Sequence, residues 1–309
     1  MRRQRGSTRW ERSPERDSLP VGPRSARALP DALMALLALL FALPVIWSLI
    51  NAFKPHTEIR MKPWALPSHV AWENFAEAWH GQMGLYLLNT TIVTGIAVII
   101  ILALSAPAAY AFARLKFRGS GALLAFIMGG LLIPVHAVLV PLYQFNPGTL
   151  LLKRLAAASA PMLAFSGRFG DWIAVLGPYI AFGLPLTVIM LRAYFIGIPK
   201  ELSDAATMDG CTHARTLWSI FLPVARPALA TVAIFQAAWI WNELVLAMVF
   251  IDQPLQKTLT VGLMGFQGEH STDWGVVMAG VFMAVVPVLL LYFVFQKHIV
   301  RGLTAGAVK

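Results

Sequence analysis

Few residues in this sequence could do chemistry by themselves, and they form no known catalytic pattern. Cys211 is the only cysteine among 309 residues, which rules out an intrachain disulfide and a cysteine-rich metal site. No histidine or aspartate arrangement around Cys211 would activate its thiol. The sequence also lacks the glycine-rich loop followed by Lys-Ser or Lys-Thr that holds ATP phosphates. We therefore expect no catalytic residue, no metal site, no cofactor and no ATP binding in this chain.

Glu243 is the one acidic residue deep within a long apolar stretch. A charge there costs about 2.5–3.5 kcal/mol on insertion scales unless it is paired or faces water. Of the two roles that fit, lining a pathway or joining helices, we expect Glu243 to cap or pin helices within the protein. His136 lies between Pro134 and Pro141, and we expect its side chain to satisfy a backbone carbonyl that a proline leaves without a partner.

A second group of residues suits contact with a passing solute rather than catalysis. Asn242 stands beside Glu243, which points about 100° away from it on a helix. Spacings of three and four residues place three apolar side chains on the helical face of Asn242: Phe235, Trp239 and Leu246. This face is the candidate translocation pathway, and for Asn242 itself a structural role stays equally open.

A polar segment from Glu201 to Pro223 interrupts long apolar stretches on both sides. It contains Asp-Ala-Ala at 204–206, then Gly210 after three residues. After nine more residues it ends in the Ile-Phe-Leu-Pro of 220–223. Any one of these residues fits an ordinary loop between helices, but the whole spacing indicates a defined, folded segment.

The shape of this polar segment follows from its helix and turn signals. Pro199 ends the preceding helix, and residues 200–208 are good or tolerable helix formers. Gly210 permits a sharp turn, and Thr212 can cap a second helix that runs through Leu217. We predict two short helices joined at a glycine corner, a shape that another protein can grip. The apolar residues expected to contact such a partner are Leu202, Ala206 and Leu217.

The composition indicates that the segments carrying these residues span a membrane. Hydrophobic residues make up 58% of the chain and charged residues 13%, whereas an ordinary soluble domain is about a quarter charged. We predict an all-α integral membrane protein with a transmembrane domain over residues 31–309 and its core over about 86–296. The predicted basic tail, residues 1–30, is expected to be disordered because it cannot bury a core. The six predicted spans are residues 32–50, 86–113, 122–143, 172–198, 224–251 and 274–296.

The distribution of lysine and arginine sets the predicted orientation. With both termini on the inner side, the inner segments hold 18 of the 25 lysines and arginines. The polar segment, 199–223, then lies in the cytoplasm, where ATP is. Two other stretches do not span in this scheme: a polar loop over residues 51–85 with amphipathic pieces on the outer surface, and an interfacial helix over 155–165.

Short motifs along the chain resemble one family. The spacing in the polar segment resembles the cytoplasmic loop with which bacterial ABC import permeases dock an ATPase. Further motifs are similar to the carbohydrate-importer branch of these permeases, the maltose-permease-like family. These motifs are NAFK at 51–54, LNTT at 88–91, AAYAFAR at 108–114, WNE at 241–243 and GLTAGAVK at 302–309. The similarity covers roughly residues 31–309.

The resemblance implies a type I ABC importer permease fold and a subunit without chemistry of its own. It implies a second permease subunit, expected to form a heterodimer with this chain, and two cytoplasmic ATPase subunits that bind ATP and magnesium. It also implies an extracytoplasmic solute-binding protein that delivers a sugar or oligosaccharide to the bacterial inner membrane, and no nucleic-acid partner. The ATPase contact falls on nine residues of the coupling segment (residues 199–223): Glu201, Asp204, Ala205, Ala206, Asp209, Gly210, Ile220, Leu222 and Pro223.

Two features depart from the family pattern, and other functions stay open. Asp204 stands where the family usually has glutamate, which keeps the charge but shortens the reach, and the stretch 147–168 is longer than usual. A polyol or glycerol phosphate is an alternative solute for the same fold. An ion-driven secondary transporter would want charges in several spans, and Glu243 is the one deep acid. A membrane enzyme would need converging catalytic residues, which this sequence does not offer.

Overall fold

The computed structural model describes residues 24–145, 160–266 and 272–305, and the regular elements in these ranges are helical. Four helical stretches there are long and apolar enough to cross a membrane: Pro30–Ala52, Glu73–Arg114, Phe169–Gly197 and Trp274–Gln296. Two sharply bent helix pairs bring the number to six if each pair forms one span. The all-α prediction is confirmed, and the six-span count depends on how the bent pairs cross the bilayer.

Residues 1–47 and 48–309 form two compact units. The described part of the first unit belongs to one helix, α1 (Arg24–Ala52), whose last residues fall in the second unit. Because α1 begins at Arg24, residues 24–30 of the predicted disordered tail are helical, and the alanine and leucine residues there are strong helix formers. The rest of that tail, residues 1–23, lies outside the described residues.

The second unit carries the remaining helices. They are α2 (His56–Met61), α3 (Glu73–Ala78), α4 (Gly84–Arg114), α5 (Ser120–Gly129), α6 (Val135–Phe145), α7 (Ala160–Gly197), α8 (Lys200–Met208), α9 (His213–Thr216), α10 (Arg226–Trp241), α11 (Val245–Phe250), α12 (Leu259–Met264) and α13 (Trp274–Ala305). The predicted spans 86–113 and 274–296 coincide with α4 and with the first part of α13. The helix of the fourth predicted span begins at Ala160, so residues 160–165 belong to α7 and do not form a separate interfacial helix. Residues 146–159 lie outside the described ranges.

The third predicted span is not one straight helix. The stretch Ser120–Leu132, which is α5 with one added turn, meets the stretch Val135–Gln144 of α6 at 98°. Pro134 causes the break, since proline donates no backbone hydrogen bond and disfavours the helical conformation of the residue before it. Ile133 accordingly takes an extended conformation, with φ −83° and ψ 112°.

The fifth predicted span is interrupted twice. A π-helical turn (Leu217–Phe221) and one further turn (Leu222–Val224) extend α9, and this stretch meets α10 at 77°. The predicted first residue of the span, Val224, is the last residue of this preceding stretch, and the bend follows it directly at Ala225. The span stops again at Trp241, and α11 begins only at Val245.

Helices α4, α7 and α10 pack against one another and form the centre of the second unit. Gly183 of α7 allows the close approach, since a Cβ atom there would lie 2.5 Å from the Cδ1 atom of Ile101. Gln236 of α10 donates to the carbonyl of Gly183 at 3.1 Å and to the hydroxyl of Thr187 at 2.9 Å. Small residues and buried amides of this kind hold helices together in lipid, where apolar burial drives association weakly.

Candidate functional site

The coupling segment (residues 199–223) leaves α7 at Pro199 and turns back at Gly210. Gly210 has a φ of 71°, in the left-handed region that favours glycine. The Thr212 hydroxyl accepts a hydrogen bond from the N–H of Arg215 at 3.3 Å and so caps α9, as the sequence predicts. The predicted pair of short helices with a glycine corner is present, although the second helical stretch runs beyond its predicted end.

The residues assigned to ATPase contact divide into two sets, and the larger set is exposed. Its members are Glu201, Asp204, Ala205, Asp209, Gly210 and Pro223. The Lys200 Nζ atom lies 3.9 Å from an Asp204 carboxylate oxygen, and both side chains are exposed. An exposed pair within one helix is weak, so the Asp204 carboxylate stays accessible to a cation on a partner.

The smaller set faces the interior of the chain. Ala206 is 2% exposed, and its carbonyl accepts a hydrogen bond from the N–H of Cys211 at 2.9 Å. Ile220 and Leu222 pack against a buried cluster that joins the ends of α4 and α7. The expectation that Ala206 and Leu217 offer apolar surface to a partner is wrong, because both are buried within the chain. The segment therefore has an outward side and an inward side.

Two exposed apolar residues on the outward side were not among those predicted from the sequence. Met208 is 88% exposed at the end of α8, and Trp218 is 66% exposed in the π-helical turn. Leu202, which the sequence did single out, is 40% exposed. Large apolar side chains in a polar segment are the sequence signal that could have identified them. The sequence alone could not show which of these side chains point away from the spans.

Glu243 lies in the interruption between α10 and α11 and accepts three hydrogen bonds. The Tyr179 hydroxyl of α7 donates to its Oε2 atom at 3.0 Å. The N–H groups of Leu246 and Ala247 donate to its two carboxylate oxygens at 2.8 and 3.0 Å. The carboxylate thus caps the first turn of α11 and ties that helix to α7, which is a structural role of the kind expected.

The predicted pathway residues do not all share one face. Phe235 and Trp239 lie on α10 and are partly exposed. Asn242 follows the helix, is exposed, and donates its side-chain amide to a carbonyl of α10 at 2.7 Å. Leu246 lies on α11 and is fully buried. The placement of Leu246 on the same face is therefore wrong, because helical spacing does not continue across the interruption.

His136 is exposed directly after the break in the third span. Within the described ranges its side chain forms no hydrogen bond. The expected bond from His136 to a backbone carbonyl left free by a proline is therefore not present there. Cys211 is a free, half-buried thiol at the glycine corner. No three histidine, cysteine, aspartate or glutamate side chains in the described part of the chain lie close enough together to hold a metal ion.

A cavity of about 610 Å³ lies between α4, α10 and α13. Apart from Thr91, Thr94 and Trp241, the side chains that line it are apolar, and none of the predicted pathway residues is among them. Such a lining offers few hydrogen bonds to a polar solute. The cavity therefore does not support the binding of a sugar.

Known proteins similar to this chain are transport permeases. A family model described as "Binding-protein-dependent transport system inner membrane component" matches residues 101–305, which include the coupling segment. The chain is 37% identical over 268 residues to the probable ABC transporter permease protein YurM of Bacillus subtilis (strain 168), covering 87% of this chain and 84% of YurM. It is 32% identical over 286 residues to the diacetylchitobiose uptake system permease protein NgcG of Streptomyces coelicolor, covering 92% of this chain and 89% of NgcG.

The helical arrangement is also known from a solved structure. It matches a chain of a bacterial ABC transporter involved in the import of the acidic polysaccharide alginate, with a TM-score of 0.69 and 23% sequence identity. The match covers 90% of this chain and 99% of that chain, so the fold is shared over nearly its whole length. The family match and the relatives of 37% and 32% identity show that the chain belongs to the family of inner-membrane components of binding-protein-dependent transport systems.

Proposed function

We propose that this chain is a permease subunit of an ATP-driven importer that moves a sugar or oligosaccharide into the cytoplasm. The observation that carries the proposal is the two-sided coupling segment. It is a folded pair of short helices that exposes acidic and apolar side chains on one side and packs against the ends of the spans on the other. A segment of this form can receive a movement from a partner and pass it to the membrane helices.

In the proposed topology, each bent helix pair forms one span and both termini lie in the cytoplasm. This arrangement gives six spans and puts 18 of the 25 lysines and arginines on the inner side. A contact within the second unit supports it. Arg114 lies in the stretch 114–118, which follows the second predicted span and holds three of the 18 inner lysines and arginines. It donates to the carbonyl of Phe195 near the start of the coupling segment. The two segments proposed to be cytoplasmic therefore meet at one end of the molecule.

The energy for transport comes, in this proposal, from two separate ATPase subunits that bind ATP and magnesium. The sequence has no phosphate-binding loop of its own. Asp204, Met208 and Trp218 give the ATPases a carboxylate and two large apolar side chains to contact. A second permease subunit completes the pathway, and a solute-binding protein outside the membrane delivers the solute.

The proposed solute class rests on the relatives and on the character of the spans. NgcG is named for the uptake of diacetylchitobiose, an oligosaccharide. An anionic solute would want basic residues along the spans, and the sequence places almost none there. Exposed aromatic side chains beside an amide, as at Phe235, Trp239 and Asn242, are the mixture typical of sites for neutral polar ligands.

The pathway assignment has its own test. We expect Asn242→Ala to lower solute uptake more than it lowers the amount of assembled complex, because Asn242 is exposed and bonds only within its own helix in the described structure. Uptake and assembled complex are measured on the same preparation. An equal loss of both would count against a pathway role.

The proposed function is tested by reconstitution into liposomes. The chain is combined with candidate partner permease, ATPase and solute-binding proteins, and labelled oligosaccharides are offered outside with the binding protein. We expect uptake only when ATP is present on the cytoplasmic side of the membrane. Uptake that needs an ion gradient and proceeds without ATP would contradict the proposal.

A further inference from the structure

The ends of α4 and α7 meet at one side chain, Arg114, which is the last residue of α4. Its Nη2 atom donates to the carbonyl of Phe195 at 2.6 Å and also to the carbonyl of Ile198. Both carbonyls lie at the end of α7, where a helix leaves its last carbonyl oxygens without partners and where a cation is favourable. Arg114 therefore joins two spans and does more than add positive charge to the inner surface.

The same guanidinium group reaches the coupling segment. Its central carbon lies 5.1 Å from the centre of the Phe221 ring, within the range of a cation–π interaction. Phe221 is fully buried in the π-helical turn of the segment. One side chain thus joins three elements: it comes from α4, it bonds to carbonyls at the end of α7, and its guanidinium group lies over a ring of the coupling segment.

Aromatic rings surround this contact. The Tyr110 ring, one turn before Arg114, lies 4.9 Å from the Phe221 ring and 6.4 Å from the Phe195 ring, and the Phe195 and Phe221 rings are 5.7 Å apart. All three pairs are edge-to-face, which is a favourable arrangement of aromatic rings. The rings supply apolar contact, but they supply no directional bond between the segment and the spans.

A second arginine provides a natural comparison. The Nε atom of Arg192, on α7, donates to the carbonyl of Phe112 on α4 at 3.3 Å. Arg192 therefore also ties α4 to α7, but in the described structure no hydrogen bond, ion pair or ring contact joins it to the coupling segment. Of these two arginines, Arg114 is the one that links the segment to both spans.

We propose that Arg114 is a positioning residue of the transport cycle: it holds the coupling segment in one orientation on the ends of α4 and α7, so that movement of the segment is passed to the spans. The inference rests on the proposed function, because it takes an ATPase to be the source of that movement. Arginine suits the role because its Nη2 atom can donate to two carbonyls while the delocalised charge of the whole guanidinium group stays near a ring, whereas lysine carries its charge on a single nitrogen.

The first test measures positioning in the full-length chain in lipid nanodiscs, without partner subunits. Spin labels on the native Cys211 and on an introduced R118C report the distance between the coupling segment and the turn after α4; Arg118 is exposed. We expect R114Q to broaden the distribution of this distance, R114K to broaden it less, and R192Q to leave it unchanged. An R114Q distribution as narrow as the parent's overturns the proposal.

A variant that leaves Arg114 in place provides the same test if R114Q fails to fold or insert. F221L removes the ring under the guanidinium but keeps an apolar side chain at the buried position. If R114Q does not insert, F221L carries the same distance measurement, and we expect a broadened distribution. An unchanged distribution in F221L then overturns the proposal.

The second test measures solute transported per ATP hydrolysed in the reconstituted complex, with labelled diacetylchitobiose as the probe. We expect R114Q to retain the ATPase during affinity purification while the ratio falls about tenfold, within the usual range of coupling between linked sites. R192Q is expected to keep the parental ratio, and R114K to restore part of it. Loss of assembled complex with an unchanged ratio in what remains would show a merely structural role and overturn the proposal.

The two tests separate this inference from the proposed function. A parent complex that shows no ATP-driven uptake contradicts the proposed function. The distance measurement needs neither ATP nor solute, so it still decides whether Arg114 positions the coupling segment.

Discussion

The two ends of α4 hold their neighbours by different means. At the N-terminal end, the side-chain amide of Asn89 donates to the carbonyls of Leu255 and Lys257, each at 2.9 Å. The N–H of Leu259 donates to the hydroxyl of Thr90 at 2.7 Å. Short, buried side chains thus fix the backbone of the loop before α12 directly to the helix.

Helix α7 strengthens the hold on this loop. The Asp171 carboxylate accepts hydrogen bonds from the N–H groups of Asp252 and Gln253 at 2.9 and 2.8 Å. The Trp172 indole N–H donates to the carbonyl of Gln256 at 2.9 Å. The loop is therefore bonded to two helices at several points along its backbone.

At the C-terminal end of α4, the coupling segment is held mainly by apolar packing. Among the described contacts, the spans give the backbone of the stretch 199–224 one side-chain hydrogen bond, from the Tyr194 hydroxyl to the carbonyl of Val224 at 3.3 Å. The other contacts are apolar packing and the guanidinium group of Arg114 over the Phe221 ring. The N-terminal end of α4 is therefore an anchor fixed by hydrogen bonds to the loop backbone, and the C-terminal end is a joint held by packing and by Arg114.

The largest change we expect comes from removing the ring at the centre of the joint. Phe221→Ala deletes a fully buried aromatic side chain, a class of change that costs about 3–5 kcal/mol. We expect a strongly lowered thermal unfolding midpoint in nanodiscs and loss of the copurifying ATPase. Phe117→Ala is the control, since Phe117 is 39% exposed near the same end. Equal shifts of the unfolding midpoint in both variants would contradict a central role of Phe221 in the joint.

A smaller change is expected when the corner of the coupling segment is strained but the joint is left intact. Gly210→Leu forces a left-handed φ on a leucine, which costs about 1–2 kcal/mol. We expect normal membrane insertion, weaker retention of the ATPase and less solute moved per ATP. Gly121→Leu is the matched control, because a Cβ atom at Gly121 also meets open space and its φ is ordinary. Normal ATP-driven uptake in Gly210→Leu would count against the corner as a coupling element.

At the anchor, the expected effect is on stability without an effect on coupling. Asn89→Ala leaves two loop carbonyls without their donor, a loss of about 1–3 kcal/mol. We expect a lower unfolding midpoint and an unchanged ratio of solute to ATP, because the other bonds still hold the loop. Asn242→Ala serves as the stability control, since that exposed amide bonds only within its own helix. A changed ratio in Asn89→Ala would erase the distinction between anchor and joint.

The smallest effect is expected at the outward side of the coupling segment. Asp204→Glu keeps an exposed carboxylate and lengthens its reach, so we expect uptake within about twofold of the parent, since exposed charges contribute modestly. Asp204→Asn should weaken retention of the ATPase more than Lys200→Ala does. If Asp204→Asn behaves like the parent, Asp204 makes no contact of consequence with the partner.

Local signals in the sequence were sufficient for much of this architecture. The apolar runs of α4 and α13 and the corner at Gly210 follow from residue type and spacing, because they depend on neighbours along the chain. The break at Pro134 could be anticipated as a weakness in a helix, but its 98° angle depends on what each half packs against. The same limit explains why residues 160–165, apolar and short, read as a separate helix when they begin α7.

The parts that the sequence did not show depend on groups far apart in the chain. The helix stops after Trp241 where Glu243 binds the Tyr179 hydroxyl, and Tyr179 lies on another span. Arg114 reads in the sequence as one more inner cation, because the carbonyls that it binds come from α7. Which side of the coupling segment faces outward was equally hidden, since the phase of a short helix is set by its tertiary contacts.

The bend in the third span should make the shape of this region depend on the thickness of the membrane. At a rise of about 1.5 Å per residue, Ser120–Leu132 reaches about 20 Å and Val135–Gln144 about 15 Å. Neither half alone crosses a hydrocarbon core of about 30 Å, and at 98° their lengths do not add along the membrane normal. Longer acyl chains therefore favour straightening at Pro134, and shorter ones favour the bend. We therefore expect lipid tail length to change the angle between α5 and α6.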